Sequence, residues 1–245
     1  MNTVADLTLK ALQARGTERL PGYTASLCTA CDTYPPPFGM EWYGEKYREA
    51  ASNPDWLAMS LVANATKEGE GAQKLWGLAG RTANHEVADQ IRVHAIDEAR
   101  HARLYIAMLE ITFPGAVSEE IRPSLMSLSP GYSNKDHPPA CQPTTETNVL
   151  DELIQMNIGE IRTRIHQLLL RPVLTIYCPL DRRGKLTQIL DALLEDETRH
   201  IEYTARLIEQ SIIRGFTEFV HHMMARRLNE FNQITLSEVG QSSYD

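Results

Sequence analysis

The sequence predicts an all-α protein: a four-helix bundle with a long crossover between its second and third helices and additional helices at both termini. Three observations carry that expectation. Apolar residues recur at intervals of three and four along four long stretches. Leucine, alanine and glutamate dominate while phenylalanine is scarce, with 5 in 245 residues, which favours helix over sheet. The five residues Asp97-Glu98-Ala99-Arg100-His101 return in near copy as Asp196-Glu197-Thr198-Arg199-His200, each inside a helical stretch.

In chain order, residues 4 to 15 read as a short amphipathic helix closed by Gly16. From Pro21-Gly22 to Pro35-Pro36-Pro37 the chain reads as irregular, followed by a short helix around Glu41 to Ala51. The first bundle helix is expected from Asn53-Pro54-Asp55, where Asn53 caps, Pro54 takes the first helical position and Asp55 meets the positive end of the dipole. It runs to Gly80. The second helix spans about Asn84 to Ile111 and stops ahead of Pro114-Gly115. Residues 114 to 147, rich in Pro, Ser, Gly and Thr, form the crossover, with a small helix within Ile121 to Leu128 and a solvated His137. The third helix reads from Asn148 to Leu170, ended by Pro172, and the fourth from about Leu186 to Ile208, with Gly215 interrupting or kinking it before a further piece from Phe216 to Phe231.

One domain of 1–245 is therefore expected, with a core bundle at about 53–214, a leader at 1–52 and an extension at 215–245. A formal charge of -8 argues against broad nucleic-acid binding. No apolar run approaches a membrane span, and the expectation is a cytoplasmic protein with reduced thiols at Cys28, Cys31, Cys141 and Cys178. Cys28 and Cys31 have no second tight pair to complete a zinc site.

The duplicated stretch carries the chemistry. A Glu and a His three apart leave one face of a helix and reach one ion. Two such pairs on the second and fourth helices, with a carboxylate from each of the first and third, can hold two metal ions on a bundle axis. The expected ligands are Glu98 with His101, Glu197 with His200, and Glu160 on the third helix, where Glu152 reads as first-turn charge. On the first helix Glu68 and Glu70 compete, since residues two apart cannot share a face. Periodicity places Glu68 with Leu61, Ala65, Ala72 and Leu75; local pattern favours Glu70, because Gly69-Glu70 mirrors Gly159-Glu160.

These residues give the chain a resemblance to the ferritin-like diiron carboxylate superfamily over roughly residues 53 to 210. Glu68-Gly69-Glu70 followed by Glu98-x-x-His101 resembles the cyanobacterial aldehyde-deformylating oxygenases, in which the second glutamate of a similar Glu-Gly-Glu is the ligand, and that resemblance favours Glu70. It also implies crossed hydrogen bonds, Asp97 orienting His200 and Asp196 orienting His101. Tyr105, one turn beyond His101, resembles the position of the radical tyrosine in the small subunit of ribonucleotide reductase; a core tyrosine is the other reading. His94, one turn before Glu98, is a further candidate ligand by analogy with the third histidine of arylamine N-oxygenases, or a packed histidine.

The expected function is a non-haem diiron oxygenase or oxidase, with two Fe ions cycling between Fe2+ and Fe3+, or Mn in one or both positions. Its partners would be dioxygen, a small organic substrate, an electron-donor protein and a second copy of the chain. Tyr105 and Thr204 are the candidate catalytic side chains beside the metals. A ferroxidase, a radical-generating protein and a non-enzymatic metal-binding bundle are the alternatives.

Overall fold

The computed structural model describes residues 3–240; residues 241–245 of the expected extension lie outside it. All regular structure among the described residues is helical: α1 (Thr3–Ala14), α2 (Pro21–Thr33), α3 (Glu41–Ala51), α4 (Pro54–Ala79), α5 (His85–Thr112), α6 (Arg122–Met126), α7 (Glu146–Tyr177), α8 (Arg183–Ser211) and α9 (Thr217–Gly240). Four long helices, α4, α5, α7 and α8, with a long crossover after the second and extra helices at each end, match a ferritin-like four-helix-bundle architecture. Among the described residues, no helix is long and apolar enough to cross a membrane.

The chain divides into two compact units, one of Met1–Arg48, Thr147–Leu169 and Leu194–Asp245, the other of Glu49–Glu146 and Leu170–Leu193. In the first unit, Leu150, Ile154, Ile158, Ile161 and Ile165 of α7 recur at helical spacing and join Ile201, Ala205 and Ile208 of α8, Val220, Met224 and Leu228 of α9, and Tyr23, Leu27 and Cys31 of α2 in one apolar core. Helix α2 is a departure from the irregular leader read from Pro21-Gly22. Pro21 sits in the first turn, where its missing N–H costs nothing. Leu20 at the cap offers no side-chain acceptor, and the need is met from a distant element: Glu209 of α8 accepts from the backbone N–H of Gly22 (3.2 Å) and of Tyr23 (2.6 Å). Glu209→Ala is expected to cost about 2 kcal/mol, the scale of hydrogen bonds to a charged acceptor at a helix start. Urea denaturation checks it, and an unchanged midpoint would remove Glu209 from this role.

In the second unit, Asn53 Oδ1 accepts from the N–H of Asp55 and Trp56, and Asn84 Oδ1 from that of Glu86 and Val87, which fixes the starts of α4 and α5. The short turn between them makes the pair antiparallel. The crossover is tied to this pair. Cys141 N–H donates to Gly80 O, Thr144 N–H to Arg81 O and Ser129 Oγ to Ala99 O, while Tyr132 stacks on Trp76 with ring centroids 4.1 Å apart.

Two boundaries follow longer-range packing. α7 continues through Pro172 to Tyr177 instead of ending before it. The proline cannot donate to the Leu168 carbonyl, but Leu168 is exposed, so water can take that acceptor, and burial of Leu170 and Leu174 on either side favours continuation. After α8 the chain makes a wider π-type turn, Ile212–Phe216, where Gly215 takes a φ of 101° that side chains disfavour, and this kink separates α9 from α8.

Candidate metal centre

The buried stripe of α4, Leu57, Leu61, Ala65, Glu68, Ala72 and Leu75, places one carboxylate among apolar neighbours. α5 answers with Ile91, His94, Ala95, Glu98, His101, Ala102 and Tyr105, all buried. Glu68, Glu98 and His101 are 8 %, 8 % and 0 % exposed, and each offers a ligand atom within 4.8 Å of the others. His101 Nδ1 stands 3.4 Å from Glu98 Oε1 and 3.8 Å from Glu68 Oε2; His94 Nε2 stands 3.3 Å from the same Glu98 oxygen. These separations exceed the usual N–H···O bond and suit groups facing a common cation.

The electrostatics of the pair agree. Burial first, then the charge and hydrogen bond of Glu98, push the Glu68 carboxyl well above the usual range. Burial acts the same way on Glu98, but the neighbouring Glu68 carboxyl and the His101 and His94 imidazoles outweigh it and hold that carboxyl well below. Two buried carboxylates this close do not both ionise readily without a compensating charge, and a divalent cation would supply that charge.

Glu70, which the sequence pattern prefers, is exposed, and Glu68 is the residue brought to Glu98 and His101. The helical stripe, rather than the Gly-Glu mirror, decides which side chain turns inward. Gly69 answers to the crossover, since a Cβ there would lie 1.9 Å from the Leu128 carbonyl oxygen, whereas a Cβ on Gly159 would meet only the Phe231 ring at 3.5 Å. The two glycines have unrelated neighbours.

In the first unit, His200 Nδ1 of α8 lies 3.6 Å from Glu160 Oε2 of α7. Glu197, 1 % exposed, accepts a hydrogen bond from Gln167 Nε2 at 2.9 Å. Gln167 escaped the sequence reading, although it stands two helical turns beyond Glu160 on the same face. Arg164, between them, donates from Nε to Thr198 Oγ1. Glu152 is exposed near the helix start. Thr204 donates to the His200 carbonyl and accepts from Asn157 Nδ2, whose Oδ1 takes the Tyr23 hydroxyl at 2.9 Å. The Thr204 hydroxyl is thus bonded to the backbone of a ligand candidate.

The flanking residues repeat as faithfully as the sequence does. Arg100 pairs with Asp97 and Arg199 with Asp196, each three residues back on its own helix. Tyr105 is buried one turn beyond His101, and the ring of Tyr203 stands edge-on to His200 with centroids 6.5 Å apart.

Comparison of the chain with protein-family models, with curated proteins and with solved structures found no match. The all-helical fold and its clustered Glu and His side chains are consistent with the broad ferritin-like superfamily. The donor set is carboxylate oxygen and imidazole nitrogen without thiolate, which suits Fe2+, Mn2+ or a similar divalent cation.

Proposed function

We propose that this protein is a non-haem dimetal oxygenase or oxidase acting on a small organic substrate, with Glu68, Glu98 and His101 as one set of ligands and Glu160, Glu197 and His200 as the other. The observation that carries the reading is the buried Glu68–Glu98–His101 cluster. Support for the second set comes from the repeated Asp-Glu-x-Arg-His stretch and from the Glu160–His200 pair. His94, beside Glu98, is an additional ligand or orients that carboxylate. A bound iron or manganese pair would supply dioxygen binding and two-electron oxidation.

The chain's own groups have separable tasks. Glu68 gives up its proton on loading. Gln167 donates to one oxygen of Glu197 and so orients that carboxylate. Asp97 and Asp196 are held by Arg100 and Arg199 on their own helices. Tyr105 is the nearest phenol along α5 and could donate a proton to a bound substrate. Buried alanines flank the ligands, Ala65 and Ala72 on α4 and Ala95 and Ala102 on α5.

Metal analysis of protein reconstituted anaerobically with Fe2+ or Mn2+ tests the reading, with about two ions per chain expected. Dioxygen consumption should then depend on an added aldehyde, amine or fatty acid. Uptake no greater than that of His101→Ala would overturn the proposal in favour of a non-enzymatic bundle. Oxidation of iron far beyond the bound pair, without substrate dependence, would make the protein a ferroxidase.

A further inference from the structure

In the first unit α3 and α7 set a phenol against an imidazole. Tyr43 is 2 % exposed, and its hydroxyl lies 2.6 Å from Nε2 of His166, with the two ring planes 8° apart. Such near-coplanar rings let the O–H point along the imidazole lone pair. Burial pushes the phenol up to about 12, so it is protonated at neutral pH, and it donates to Nε2 in the imidazole tautomer that carries its proton on Nδ1. Trp42 lies edge-on to the Tyr43 ring at 5.9 Å and is 39 % exposed, while Tyr47 lies 6.2 Å from His166. Oxidisable rings thus run from the surface to a buried phenol that already has a base. His166 follows Glu160 by six residues on α7, about 9 Å along the axis.

We propose that Tyr43 is a redox-active tyrosine, with His166 as its proton acceptor and Trp42 as its link to solvent. Tyr43 loses one electron to a one-electron oxidant as its phenolic proton moves to His166 Nε2; a neutral phenoxyl radical and an imidazolium result. An electron returning through Trp42 from an external reductant, such as ascorbate, restores the phenol as the proton comes back. The oxidant inside the protein is the metal centre, and in that respect alone the inference rests on the proposed function.

Metal-free protein, oxidised by a photogenerated ruthenium(III) complex, isolates the chemistry of the pair. The expected result is a phenoxyl radical seen by electron paramagnetic resonance, lost severalfold in Tyr43→Phe and formed more slowly in D2O. His166→Ala should lower the yield severalfold, and imidazole in the buffer should restore it, which a merely structural role would not do. An undiminished signal in Tyr43→Phe, or no isotope effect, would overturn the proposal, as would a full yield in a folded His166→Ala. Should His166→Ala lose its helical circular dichroism, the Tyr43→Phe comparison and the isotope effect decide. Because no metal is present, a failed radical leaves the dimetal reading standing, and failed metal loading leaves a radical standing.

Discussion

Glu68→Gln is expected to abolish metal loading while leaving the metal-free protein at least as stable as wild type at neutral pH, whereas Glu70→Gln changes neither. The burial and pairing of Glu68 hold its carboxyl well above the usual range, so the folded protein retains a proton that the unfolded chain has lost. The stability this contributes is complete below the unfolded-state value and is lost as pH rises through the raised one. Glu98 behaves oppositely: its depressed carboxyl contributes stability above the unfolded-state value and loses it as pH falls. A glutamine at 68 keeps a neutral side chain that can donate to Glu98, so it removes the loss at higher pH and nothing else.

Metal loading has the reverse requirement. The proton on Glu68 must leave, so affinity in the wild type should tighten with rising pH, and the glutamine should weaken it by roughly 100-fold or more, beyond the usual cost of disturbing a group behind a ligand. Mn2+ titration and urea denaturation at two pH values separate the effects. Wild-type loading by Glu68→Gln, or lost loading by Glu70→Gln, would return the first-helix role to Glu70.

What the chain discloses by itself follows the range of the interactions involved. The starts of α4 and α5 were legible because Asn53 and Asn84 bond to N–H groups two and three residues on. The Glu98–His101 pair was legible because three residues bring two side chains to one face of a helix. Helix α2 was not, since the acceptor that starts it, Glu209, comes from α8. Nor was the course of α7 through Pro172, where packing outweighs one absent hydrogen bond. Of Glu68 and Glu70, the one on the longer apolar stripe is the one that turns inward, and the two glycines of the Gly-Glu mirror have different neighbours. Gln167 lay on the right face, yet a glutamine on a buried stripe declares its partner only when the facing side chain is known.

Gly69→Ala is expected to destabilise the protein by about 1–3 kcal/mol and to weaken metal loading as well, although residue 69 is itself no ligand. In most exposed helix positions the same change is neutral or stabilising, and Gly77, with nothing within 4 Å of its Cβ position, supplies the control: Gly77→Ala should gain up to about 1 kcal/mol. At Gly69 the methyl would meet the Leu128 carbonyl at 1.9 Å, which is backbone and cannot rotate away. Its retreat is opposed on both sides, by Ser129 Oγ on the Ala99 carbonyl and by Tyr132 stacked on Trp76. The strain can be relieved by the crossover lifting, which breaks those contacts, by α4 shifting and carrying Glu68 with it, or by both in part. The first outcome would appear as faster hydrogen exchange at residues 128–132 with loading retained, the second as weakened loading with exchange unchanged. Glu68 adjoins Gly69, and Ala99 adjoins Glu98, so the crossover bears on α4 and α5 directly beside the two buried carboxylates. Both effects together are therefore expected, and an alanine with wild-type stability would show that the crossover does not brace this cluster.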